Sequence, residues 1–145
     1  MNDSGTTAVA AREANLLGGL LQAAHQLEDA LEERLAGVGL SRAKLKLLTT
    51  LVRVDEPIAL CDLAERIQCV RSNVTQLVDR LEAEGLVRRV DDPDDRRSVR
   101  AEITPEGRDR QGRGELLEAS QEAEFAARFT TDQRRLLVDL FGARP

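Results

Sequence analysis

Residues Leu60 to Thr104 read LCDLAERIQCVRSNVTQLVDRLEAEGLVRRVDDPDDRRSVRAEIT, and this stretch decides the fold. Leu60, Leu63, Ala64 and Ile67 recur at helical spacing, and Val74, Leu77, Val78 and Leu81 do so again after a short break. The pattern predicts two brief amphipathic helices that share one core. Only Gln68, Cys69 and Val70 remain to turn the chain between them, which is the length of a helix-turn-helix connection, so the two helices must cross steeply. Gly85 after Glu84 supplies a left-handed helix stop. Leu86 to Val90 then has strand composition, Val99, Ala101 and Ile103 alternate with Arg100 and Glu102, and Asp91 to Arg97 closes the two strands into a hairpin through Pro93.

With Val74, Leu77, Val78 and Leu81 turned inward, the second helix presents Ser72, Asn73, Gln76 and Arg80 outward, with Arg71 and Thr75 at the flanks. Asn and Gln pair bidentately with adenine, Arg with guanine or phosphate, and Ser or Thr with either, while the major groove of DNA admits a helix. The same residues also suit an ordinary solvated helix face. The hairpin tip, with Asp94, Asp95, Arg96 and Arg97, has two readings as well. It is a solvated loop, or a wing whose arginine, held by a neighbouring carboxylate, enters a narrow minor groove. Residue types alone leave both choices open.

The order of these parts, with LAERI, SNVTQLVDRLEAEGLVRR, DDRRS and the closing ITPEG, closely resembles the MarR family of bacterial transcription regulators. The likeness runs from GLSRAKLKLLTTL, beginning at Gly39, through ITPEG, and more loosely into the C-terminal helices. It implies a winged helix-turn-helix that binds double-stranded DNA. By that resemblance the helix from about Arg71 to Glu84 is the recognition helix, with Arg71, Ser72, Asn73, Thr75 and Gln76 nearest the bases and Arg80 nearer the backbone. Asp95 and Arg97 fall on the family's Asp-x-Arg pair, so that Arg97 enters the minor groove while Asp95 fixes its guanidinium, and Arg96 meets phosphate. The chain departs from the family at two places. Val70 stands where a Ser or Thr usually caps the recognition helix, which offers Ser72 as an alternative N-cap that would start the helix slightly later and rotate which side chains face the groove. Gln68 replaces the common glycine of the turn, where a left-handed conformation is costly.

A chain of 145 residues buries roughly two-thirds of its unfolded surface, and no second, enzymatic domain is expected within it. With no Trp, no Tyr and three Phe, the core must be built from Leu, Val and Ala, which favours packed helices. The net charge of -5 argues against a general nucleic-acid binder, but Arg71, Arg80, Arg96 and Arg97 lie on the contact elements while Glu28, Asp29, Glu32 and Glu33 lie elsewhere. Asp91, Asp92, Asp94 and Asp95 crowd the wing, so steep salt dependence and low affinity for random sequence are expected. One histidine and two cysteines make no zinc set, and neither a phosphate-binding glycine loop nor a hydrolase elbow occurs. The expectation is no catalysis, no metal and no cofactor.

The segment from Met1 to Thr7 is polar, without the pattern of a signal peptide or membrane span, so a cytoplasmic protein is expected. From about Ala8 to Ala36, Leu17, Leu20, Leu21, Ala24, Leu27, Leu31 and Leu35 form a long apolar stripe that ends at Gly37 and Gly39. Thr104 and Pro105 open a long helix to about Arg128, and Thr130 and Gln133 have capping-box spacing before Leu136, Leu137, Leu140 and Phe141. These terminal helices either fold back on their own chain or, as the resemblance implies, interlock in a homodimer. The expected layout is mainly α with a small β-hairpin wing: a tail and dimerisation helix (1–38), a winged helix-turn-helix lobe (39–104) and C-terminal dimerisation helices (105–145).

A two-fold axis would place two recognition helices in successive major grooves, on half-sites roughly 34 Å apart. The resemblance implies a transcriptional regulator, read as a repressor, released by a small and commonly aromatic acid held between the dimer helices and the DNA-binding lobe. The walls of that pocket, around the first, second and fifth helices, carry no Trp or Tyr. His25 and Lys44 are the candidate effector residues, each with a plainer reading as a half-buried structural histidine and a snorkelling lysine. Cys61 and Cys69 read as small packed hydrophobes or as a thiol sensor, with Cys69 placed in the turn that aims the recognition helix. A third reading, a helical module that keeps the winged shape but binds protein, calls for apolar anchors where residues 71 to 76 are polar.

Overall fold

The computed structural model describes residues 15–93, 95 and 98–142, which form six helices and three short strands. Helix α1 (Leu16–Ala36) leads into α2 (Arg42–Val54), strand β1 (Ile58–Ala59), α3 (Leu60–Ile67), α4 (Arg71–Ala83), the hairpin β2 (Val87–Asp91) and β3 (Val99–Ile103), then α5 (Pro105–Ala126) and α6 (Thr131–Phe141). The architecture is mainly helical with a small antiparallel wing, as the sequence leads one to expect. Any part of the first helix before Asn15 lies outside the described residues.

One apolar cluster joins the lobe to the first helix. Leu31 and Leu35 of α1 pack with Leu45, Leu47, Leu48 and Leu51 of α2, Leu63 and Ile67 of α3, Val74, Val78 and Leu81 of α4, and Leu86, Ala101 and Ile103 around the sheet. Leucine and valine fill it, as a chain almost without aromatics requires. Ser41 caps α2 by accepting a hydrogen bond from the Lys44 N–H, and the chain leaves α1 through Gly39 at φ 73, a left-handed residue that glycine adopts without strain.

The sheet has order β1-β3-β2, so the hairpin read from the sequence gains a third strand. Ile58 pairs with Ala101 and Ala59 with Arg100. Two residues are too few to show an alternating pattern, and β1 exists because β3 offers its second edge. Within the hairpin Val87 faces Ile103, Arg89 faces Ala101 and Asp91 faces Val99. Ala101 and Ile103 are buried, whereas Val99 has left the core and is exposed on the wing stem.

Gly85 at φ 74 ends α4 as predicted, and the Leu86 N–H returns to the Leu81 carbonyl. Thr104 then ties the lobe to α5. Its hydroxyl accepts from the Gly107 N–H and donates to the Gly85 carbonyl at 2.7 Å, while its own N–H reaches the Leu86 carbonyl. Helix α5 stops at Ala126, two residues short of the expected Arg128, and the capping box of α6 forms between Thr130 and Gln133. Along α5, Gln111 is buried and donates to Thr49, and Gln121 donates to the Leu27 carbonyl of α1. Arg34 of α1 and Glu124 of α5 add a paired contact of 2.5 and 2.9 Å. No helix among the described residues is long and apolar enough to cross a membrane.

Candidate nucleic-acid interface

Helices α3 and α4 hold the turn that the spacing predicts. The Gln68 N–H bonds to Glu65 and the Cys69 N–H to Ala64, and Gln68 sits at φ 53. The left-handed conformation is therefore adopted by a glutamine, at a cost of roughly 1–2 kcal/mol relative to a glycine free of that strain.

The recognition helix starts at Arg71, as the resemblance implies, and Ser72, the alternative N-cap, does not take over. Helix α4 begins at Arg71, with Val70 as N-cap and no side-chain cap at all, and the Val70 carbonyl receives the N–H groups of Asn73 and Val74. Ser72 is thus already inside the first turn, and the helix does not start late. The N–H groups of Arg71 and Ser72 are left without a side-chain cap.

Val74, Val78 and Leu81 are buried, which turns Ser72, Asn73, Gln76 and Arg80 to solvent, with Arg71 exposed at the flank. No hydrogen bond or ion pair within the described residues engages the side chains of these five. Thr75 is half-buried and its hydroxyl donates to the Arg71 carbonyl at 3.1 Å, so it retains only acceptor capacity for a ligand.

The acidic residues of the same helix are neutralised from the wing. Arg89 of β2 meets Asp79 at 2.5 Å and Glu82 at 2.9 Å, and its N–H also donates to Glu82. Among the described residues, Arg71 and Arg80 are consequently the charges of α4 with no ion-pair partner. Arg89 was missed in reading the sequence; the signal was present as two carboxylates three residues apart facing a basic strand. It positions the hairpin against the recognition helix.

At the wing, Arg88 and Glu102 face one another across the strands at 2.6 Å, and this hydrogen bond holds Glu102 below its ordinary carboxylate range. Asp92, one of the acids counted as crowding the wing, is only 8% exposed and accepts from Arg100 at 2.8 Å. Arg100 also reaches the Pro57 carbonyl, so this acid is part of the stem and contributes little repulsion at the tip. Asp95 is exposed, and its carbonyl accepts the Ser98 N–H. Arg96 and Arg97, the expected phosphate and minor-groove contacts, lie outside the described residues, as does Asp94.

The two effector candidates are not brought together. His25 is on the exposed side of α1, 3.5 Å from Asp29, with a side chain 75% accessible, so it is not half-buried in this chain. Lys44 is 18% accessible and donates to Glu84 at 2.6 Å, joining α2 to the residue that ends the recognition helix. A cleft of about 420 Å³ opens elsewhere, along α2 and against α3 and α5, lined by Arg42, Lys46, Thr49, Arg53, Arg66 and Glu118. Arg42 pairs with Glu28, whereas Lys46, Arg53 and Arg66 have no ion pair among the described residues. Neither His25 nor Lys44 nor any aromatic ring lines it. Cys61 is half-buried, and Cys69, read as a packed hydrophobe or a thiol sensor, is exposed in the turn and so does not pack as a hydrophobe.

Comparison with known proteins agrees with this architecture. The profile of the MarR family matches residues 40–99. The chain is 32% identical over 105 residues to YdgJ of Bacillus subtilis, an uncharacterized HTH-type transcriptional regulator, covering 72% of this chain and 63% of that protein. It spans 53% to 63% of the length of the curated relatives it matches. Among solved structures, YusO of Bacillus subtilis superposes with a TM-score of 0.71 at 21% identity over 96% of this chain and 94% of that one, a likeness of fold. A cysteine-to-serine mutant of MarR from Escherichia coli, complexed with operator DNA, superposes with a TM-score of 0.72 at 25% identity over 88% of this chain and 92% of that one.

Proposed function

The chain belongs to the MarR family, and from that premise we propose that it is a dimeric, sequence-specific DNA-binding transcriptional regulator that represses from a pseudo-palindromic promoter site. The observation that carries this reading is the outward face of α4. Arg71, Ser72, Asn73, Gln76 and Arg80 are exposed hydrogen-bonding groups with no partner inside the described chain, on a helix whose acids are held by Arg89. Asn73 and Gln76 offer bidentate pairing with adenine, Arg71 with guanine, and Arg80 with phosphate. Arg97, steadied by Asp95, is assigned to the minor groove and Arg96 to the backbone. The structural neighbour from Escherichia coli carries operator DNA, which favours the same role here.

A second copy of this chain is the proposed partner. Leu16, Leu17 and Leu21 near the start of α1, Leu116 of α5, and Leu136, Val138, Leu140 and Phe141 of α6 are all more than half exposed. Exposed apolar side chains gathered on both terminal elements favour covering by a second copy. An effector, where one acts, is assigned to the cleft beside Lys46, Arg53 and Arg66, whose free cations select an anion.

The test is selection of bound duplexes from a random pool by the purified protein, with the mass of the complex measured alongside. A two-fold related pair of half-sites about 34 Å apart, bound by two chains, is the expected result. Recovery of no sequence, or a single chain on the duplex, overturns the proposal.

A further inference from the structure

We propose that Val70 reads the 5-methyl group of a thymine in the major groove, adding an apolar, base-specific contact to the polar ones of α4. The inference rests on the DNA-binding reading above and extends it to a residue outside the polar set.

Val70 precedes the first residue of the recognition helix and is 67% exposed. Its backbone is used, accepting from Asn73 and Val74, but its side chain caps nothing and does not pack against the core cluster. A hydroxyl at this position would satisfy a free N–H of the first turn, so valine is the poorer choice for folding. An isopropyl group also donates nothing to a phosphate. Val70 borders an open depression whose apolar side is Ala64, Cys61 and Cys69 and whose polar side is Glu65, Gln68 and Arg71.

The end of a recognition helix is the part that meets base edges. Of the groups exposed in the major groove, the thymine methyl is the one that an aliphatic side chain recognises. Val70 fits that group in size and polarity, and it stands beside Arg71, whose side chain serves the polar edge of a neighbouring base pair.

The test uses the full-length protein and a duplex obtained by the selection described above. Each thymine is replaced singly by deoxyuridine, which removes the methyl and preserves every hydrogen-bonding group. One thymine per half-site should show about fourfold weaker binding on replacement, the worth of one buried methyl-sized group. Val70→Ser, which gains a cap and therefore folds, should bind thymine and deoxyuridine alike at that position while responding as the natural protein does everywhere else. No thymine with a methyl preference overturns the inference, as does a preference that Val70→Ser retains. Failure to bind any selected duplex is seen before a deoxyuridine is placed, and it removes the DNA-binding reading itself together with this inference.

Discussion

A β-carbon built on Gly107 would stand 2.1 Å from the carbonyl oxygen of Leu86, so the first turn of α5 is pressed against the residue that opens the wing. Backbone on both sides leaves no rotamer to relieve the contact. Gly107→Ala should destabilise by about 1–3 kcal/mol in denaturant unfolding. Gly112→Ala, on the same helix with open space around it, should be neutral or stabilise by up to about 1 kcal/mol. Equal effects of the two would show that the contact is not a constraint.

The turn of the helix-turn-helix motif carries two local costs that substitution should remove. Gln68→Gly relieves the residue at φ 53, offset by the larger freedom of glycine in the unfolded chain, for a net gain of about 0.5 kcal/mol. Val70→Ser should gain about 1 kcal/mol by capping α4. Thermal unfolding of the two single variants and the double variant checks both.

For DNA, Asn73→Ala should cost about 1–3 kcal/mol and relax the preference at one base pair. Arg97→Ala should weaken operator binding by at least about 1 kcal/mol and lower the salt slope. His25→Ala, on the far-exposed side of α1, should leave affinity unchanged without effector. Titrations at several salt concentrations separate the three, and equal losses would undo the site assignment.

Acid should loosen the contact between α1 and α5. The hydrogen bond and charge of Arg34 hold Glu124 below its ordinary value of 4.5, while Arg34 itself is raised and stays charged. A carboxylate lowered by folding lets the unfolded chain bind more protons, so its contribution is complete above that value and disappears as pH falls through the lowered one. Melting temperatures of the natural protein and Glu124→Gln should differ near neutrality and converge at acid pH. A constant difference across the range would refute the pairing.

Cys69 is exposed in the turn that aims α4, so peroxide should weaken operator binding if its thiol is a control point, and Cys69→Ser should be indifferent. Unchanged binding by the natural protein after peroxide would leave Cys69 a passive turn residue.

Much of the fold was legible because its signals are local. The break between Ile67 and Arg71, the glycine after Glu84, and the Thr104–Pro105 and Thr130–Gln133 starts each fix one boundary by stereochemistry or capping, and the elements follow them. The polar face of α4 was likewise set by periodicity. What escaped the sequence depends on distant partners. Nothing local to Lys44 displays Glu84, forty positions away, which engages it, and nothing local to Asp92 displays its pairing with Arg100 across the hairpin. The cationic cleft joins residues of three helices that no single stretch displays. The choice between Val70 and Ser72 as N-cap was open in the sequence, because a capping preference of about 1 kcal/mol is a weak local signal.

The bare leucines of α1 and the apolar side of α6 bear on how such a regulator would respond to its own abundance. Where the competent species is assembled from two chains, its amount at low expression rises with the square of the number of chains present. Promoter occupancy would then switch over a narrow window of synthesis, and a modest change in gene dosage would be felt as a threshold.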